Sequence, residues 1–152
     1  MTSIIINQFS ITISKLITLA AIMPIVASMG GNAGTQAMTV TVRALANKDI
    51  HHNNVLRVIL KEIAVCGFNG SILALVGALL SLAMLSDPNL SLIFSIAVIL
   101  TFLIAGLFGS VIPITLHYLN IDPATGSGVF LTTITDSFAF FTFLTLAYTF
   151  LV

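Results

Sequence analysis

The chain has 152 residues, of which 58% are hydrophobic and only 7% charged, and its formal net charge is zero. An ordinary soluble domain carries roughly 25% charged residues, so this composition cannot cover a water-facing surface, and the bilayer is the solvent it fits. With no basic tail, nucleic-acid binding has no support. The single cysteine, Cys66, excludes an internal disulfide and reads as a small packing residue in an apolar run.

The expected fold is an all-α membrane bundle of about four transmembrane helices, forming one transmembrane domain over residues 1–152. Met1 to Asn7 carry no positive charge, so they do not read as a secretory signal. The first span runs over about 16–46 and is too long for one straight crossing of about 20 residues. Pro24 and the run Gly30-Gly31-Asn32-Ala33-Gly34 predict a kink or partial unwinding there. Arg43, Lys48, Arg57 and Lys61 fall in the polar stretch that follows. A second span covers 63–85 and is closed by the turn Ser86-Asp87-Pro88-Asn89. A third covers 91–119 and a fourth 128–152. Asp122-Pro123 between them reads as a helix N-cap followed by proline at the first helical position. The positive-inside rule places the 43–61 loop in the cytoplasm, in a multi-pass protein of the cell membrane.

The informative residues are those that do not belong in hydrocarbon. Asp136 lies about eight residues into the last span, roughly 12 Å along it at 1.5 Å per residue. A carboxylate there costs about 2.5 kcal/mol or more on insertion scales, which makes a functional role the default reading. The alternative is a neutral Asp that only ties helices together. At 100° per residue, Thr125, Gly128, Thr132, Thr135 and Asp136 share about one third of the circumference of that helix. A second stripe, Asn32, Thr35, Gln36, Thr39 and Arg43, lies along one face of the first span. Interhelical hydrogen bonding would explain either stripe alone. Together they read as two walls of a hydrated path.

The ligand types favour a hard, hydrated dication. Mg²⁺ dehydrates reluctantly and is held by one or two carboxylates with retained waters, whereas softer metals would call for Cys, Met or His clusters. His51-His52 is such a pair, but adjacent histidines in a polar loop are more often solvated. His117 reads as an interface residue. Gly30/Gly34, Gly67/Gly70 and Gly106/Gly109 read as close-approach points between helices. Asp122 would attract cations to a cytoplasmic mouth if it does more than cap. No nucleophile–base pair, phosphate loop or hydrolase metal motif is present, which argues against an enzyme.

Two segments resemble the MgtE magnesium transporters. Pro24 to Gln36, followed by Val42-Arg43-Ala44-Leu45-Ala46, is similar to the signature of that family. Asp122-Pro123-Ala124, Ser127-Gly128 and Thr132-Thr133-Ile134-Thr135-Asp136 resemble its last helix, and Arg57 to Glu62 also fits. The resemblance covers residues 14–152 in order. It implies a homodimer with five helices per subunit around a central path, Mg²⁺ as the transported ion, and no enzymatic activity. It also implies that Asp136 binds hydrated Mg²⁺. Asn32, Thr35 and Thr39 would line the path, and the backbone at Gly31, Gly128 and Thr132 would add oxygens. Gln36, Thr125 and Thr135 would line it further along. Thr35 and Gly128 stand where family members carry Asn. By the same resemblance the chain lacks the family's first helix, its N-terminal domain and its CBS domains.

Three readings follow. The first is a dimeric Mg²⁺ or other divalent-cation transporter in contact with membrane lipid. The second is a proton- or sodium-coupled transporter in which Asp136 takes the coupling ion. The third is a truncated accessory membrane protein that does not itself transport.

Overall fold

The computed structural model describes residues 2–9, 17–85 and 87–151. Among them the chain forms five helices and no strand: α1 (Thr2–Gln8), α2 (Ile17–Ala46), α3 (Val55–Leu85), α4 (Pro88–Tyr118) and α5 (Pro123–Leu151). Three helices among the described residues, α3 over Val55–Ala83, α4 and α5, are long and apolar enough to cross a membrane. At 30 residues α2 has the length, and its polar face lowers its hydropathy.

Both ends of the long helices have local causes. Asp87 caps α4 by accepting from the Asn89 and Leu90 N–H groups at 2.9 and 3.2 Å, with Pro88 next at the first helical position. Asp122 repeats the device on α5, accepting from the Ala124 N–H at 2.9 Å, so that helix starts at Pro123 rather than near residue 128. The C-termini of α2 and α4 end alike. Lys48 (φ 59°) and Asn120 (φ 57°) turn left-handed. The Asp49 and Ile121 N–H groups then reach back to the Ala44 and Leu116 carbonyls at 2.9 Å, which is the Schellman closure of orphan carbonyls. Nothing breaks the backbone between Val55 and Ile63, so α3 begins before its apolar stretch and carries Arg57, Lys61 and Glu62 on its first turns.

The unwinding expected near Pro24 and Gly30–Gly34 is not there. Helix α2 is continuous through both. The glycines serve approach instead of unwinding. A Cβ at Gly34 would stand 3.1 Å from a Leu131 methyl of α5, and one at Gly109 of α4 would meet the Gly34 carbonyl oxygen at 2.7 Å. Likewise Gly67 and Gly70 of α3 admit Leu103 and Phe102, and Gly106 of α4 lies against the Glu62 carbonyl and Cys66. In a membrane, where lipid is as apolar as leucine, such contact replaces hydrophobic exclusion as the force joining helices. Cys66 is buried in that packing, as expected.

Helix α4 is the hub. It packs along α3, α2 and α5, and α2 also packs on α5. Of its most apolar window 56% is buried, against 17% for α3, so α4 is the centre and α3 the lipid-facing flank. Leu19, Met23 and Val26 of α2 meet Ile93, Ala97 and Val98 of α4 and Phe143, Leu144 and Ala147 of α5 in the core. Serines stitch the α3–α4 pair, with the Ser91 hydroxyl donating to the Ala78 carbonyl at 2.8 Å. The short α1 touches α5, where Phe9 just beyond it meets Tyr148 edge-on at 6.3 Å. Helices α2 and α3 barely touch each other, which leaves a groove between them with α4 as its floor.

Candidate functional site

The seam between α2 and α5 holds the carboxylate. Because the helices are antiparallel, their register can be read from three contacts. Asp136 Oδ1 lies 3.8 Å from the position a Cβ would take on Gly31, Leu131 meets Gly34, and the Ser127 hydroxyl reaches Met38 Sδ at 3.0 Å. That register sets Thr35 level with Thr132 and Thr39 level with Gly128. Three rungs result, Gly31 with Asp136, Thr35 with Thr132, and Thr39 with Gly128, over about 12 Å at the helical rise.

The hydroxyls on these rungs share one arrangement. Thr35 donates to the Gly31 carbonyl at 2.8 Å, Thr39 to Thr35 at 2.8 Å, and Thr132 to Gly128 at 3.1 Å. A hydroxyl has one proton and two lone pairs. With the proton committed to its own helix, each threonine presents an oxygen that can only accept. Thr35, Thr39 and Thr132 are exposed in the single chain, and Asp136 is half-buried. The seam is therefore an open row of acceptor oxygens ending at one carboxylate. Among the described residues no three His, Cys, Asp or Glu side chains gather, so the chemistry on offer is one charge with neutral oxygens around it. That set suits a cation that keeps its water shell.

Other expected residues lie elsewhere. Thr135 is fully buried, its hydroxyl donating to the Leu131 and Thr132 carbonyls at 3.0 and 3.2 Å. Thr125 is exposed at the start of α5, with its hydroxyl on the Asp122 carbonyl at 3.2 Å. Asp122 itself is the cap of that helix. Asn32 and Gln36 open onto the other flank of α2, into a cleft of about 370 Å³ shared with Asn69 of α3. Asn69 was not singled out from the sequence. Its signal was a carboxamide inside the apolar 63–85 run, masked by reading each span for its own stripe rather than for isolated polar residues. His51 and His52 are exposed in the α2–α3 loop, and the His52 ring stacks on Tyr118 at 4.8 Å.

Membrane-length helices around a central one, with a polar seam between two of them, define a multi-pass helical membrane protein. The chain belongs to the MgtE family of divalent cation transporters, whose family model matches residues 23–146. The family is one of transporters rather than enzymes. Among curated proteins, the chain is similar to the magnesium transporter MgtE of Bacillus subtilis, at 33% identity over 87% of this chain and 29% of that protein. The magnesium transporters MgtE of Enterococcus faecalis and Thermus thermophilus are 32% and 31% identical, each over 89% of this chain. The chain spans 29–30% of the length of these relatives.

Proposed function

We propose that this chain is a single transmembrane domain that carries hydrated divalent cations, Mg²⁺ foremost, across the cell membrane along the α2–α5 seam. The observation that carries the reading is the seam itself: Asp136 beside Gly31, below a row of threonine oxygens whose protons are already used. In this reading Asp136 supplies the charge, Thr35, Thr39 and Thr132 accept hydrogen bonds from the ion's waters, and Gly31 and Gly128 leave room for the shell.

A second copy completes the path. Left alone, Thr35, Thr39, Thr132 and half of Asp136 would face hydrocarbon, which cannot hydrogen-bond them. A two-fold homodimer across this face brings two carboxylates to one axis and turns both rows inward. The 43–61 loop is cytoplasmic by its lysines and arginines. A dication entering down a 100 mV potential gains about 4.6 kcal/mol, twice the single-charge figure, which drives uptake without an ATP site.

The test is Mg²⁺ entry into liposomes that hold the purified chain and a trapped Mg²⁺ dye, under an imposed potential. Uptake should follow the potential and be lost in Asp136→Ala. Equal uptake by that variant would refute the assigned role, and uptake that needs a pH or Na⁺ gradient at fixed potential would favour the coupled reading.

A further inference from the structure

The α2–α3 groove contains a second polar site that the seam does not use. Three carboxamides, Asn32 and Gln36 on α2 and Asn69 on α3, open into the 370 Å³ cleft, with Phe102 of α4 among its lining. All three are exposed in the bundle, and no side-chain hydrogen bond among the described residues involves them. Asn69 is the fifteenth residue of a 31-residue helix and Asn32 the sixteenth of a 30-residue one, so the cleft lies near the middle of both. At that depth lipid cannot satisfy an amide, and unpaired polar groups cost several kcal/mol each.

The groove continues from there as a mostly apolar pocket of about 500 Å³ beside Ile25, Leu80 and Phe94, with Ser81 also in its lining. The carboxamides are thus confined to one end. One water needs only about 10–15 Å³ of such cavity space, so the cleft admits several waters and with them a hydrated ion. No side chain lining the cleft is charged. An ion there would keep its shell, with its waters donating to the three carboxamide oxygens, and Asp136 on the far side of α2 contributes a favourable field.

We propose that Asn32, Gln36 and Asn69 form a lateral site for a fully hydrated divalent cation, separate from the seam at Asp136. The site holds the ion through its waters alone, so it binds weakly and exchanges fast. Asn32, on the helix face between Gly31 and Ala33, links cleft and seam. The inference rests on the divalent-cation reading above, and the tests separate the two.

Cysteine accessibility in proteoliposomes tests it. In a Cys66→Ala background, the only native thiol is gone. Asn69→Cys should react with a charged, water-soluble methanethiosulfonate much faster than Leu75→Cys, which faces lipid on the same helix. Mg²⁺ at about ten times its Kd should slow that reaction about elevenfold, the factor 1 + [L]/Kd, while Na⁺ at equal ionic strength leaves it unchanged. Gln36→Cys provides the same readout from the other wall should Asn69→Cys not fold. Reaction no faster than Leu75→Cys, or reaction that Mg²⁺ does not slow, overturns the proposal. Protection that persists in Asp136→Ala while flux is lost supports a separate site. Protection together with undiminished flux in Asp136→Ala keeps this site and overturns the role assigned to the seam.

Discussion

The two flanks of α2 are built from different chemistry. Toward α5 its polar groups are hydroxyls whose protons are bound to their own helix, and the far wall carries a carboxylate. Toward α3 they are carboxamides, with both donors and acceptors free and no charge in the cleft. The first flank therefore favours positive charge strongly and by sign. The second favours anything that hydrogen-bonds, an intact water shell included. In the proposed reading, one helix separates a site that selects by charge from one that selects by hydration. Glycines keep the first flank tight against its neighbours, whereas the second is open because α2 and α3 barely meet.

The largest expected effect comes from removing the charge that distinguishes the flanks. At an effective dielectric of about 20 and roughly 5 Å, one carboxylate attracts a dication by about 7 kcal/mol before the ion's own desolvation is counted. Asp136→Asn keeps the shape and deletes that term. Mg²⁺ flux should fall by about 100-fold or more, while Mg²⁺ protection in the carboxamide cleft weakens only modestly. Loss of both together would mean that the flanks are one site.

Next in size is a change that forces α4 away from the glycine face of α2. A Cβ on Gly109 would sit 2.7 Å from the Gly34 carbonyl and 2.8 Å from the Ala37 Cβ. The first of these is backbone of a packed helix and cannot swing away. Gly109→Ala should cost about 1–3 kcal/mol by overpacking, read as a lower unfolding midpoint in detergent. A midpoint equal to that of the parent chain would show that α2 and α4 are looser than this geometry.

The helical membrane fold was legible in the sequence because composition alone decides the solvent, and turn chemistry marks the ends. Asp122-Pro123 announced its cap directly, although apolarity alone placed the start of that helix several residues late. Helix α3 began early for the same reason: helical backbone continues through Arg57 and Lys61, while hydropathy does not. The unwinding expected in α2 failed because glycine has two uses, and a sequence does not say whether a neighbouring helix is close enough to require the second. Asp136 was legible because its cost in lipid is large. The division of the α2 stripe between two flanks was not, since Asn32 and Thr35 share one helical face and only the placement of α3 and α5 separates them.

Smaller effects probe the individual rungs. Thr35→Val keeps the shape and removes one acceptor. Losing a hydrogen bond of about 1.4 kcal/mol weakens ion binding about tenfold, so the Mg²⁺ concentration for half-maximal flux should rise by about that factor with the fold unchanged. A rise in Asn69→Leu as large as in Thr35→Val would show that transport depends on both flanks equally and would erase the distinction between them.

The smallest expected change is at Gly128, where a Cβ would meet nothing within 4 Å. That emptiness sets it apart from Gly109 and Gly34, although all three are helical glycines. Gly128→Ala removes the entropic penalty of glycine in a helix, worth about 0.5–1 kcal/mol, and adds a methyl to the open face of the rung it shares with Thr39. The unfolding midpoint of the single chain should hold or rise slightly. Flux should fall only a few-fold, because the methyl narrows a path without touching its charge. A lower midpoint in this variant would mean that a packed surface, not a hydrated one, covers this part of α5, and the row of acceptor oxygens along the seam would then have to be redrawn to end at Thr132.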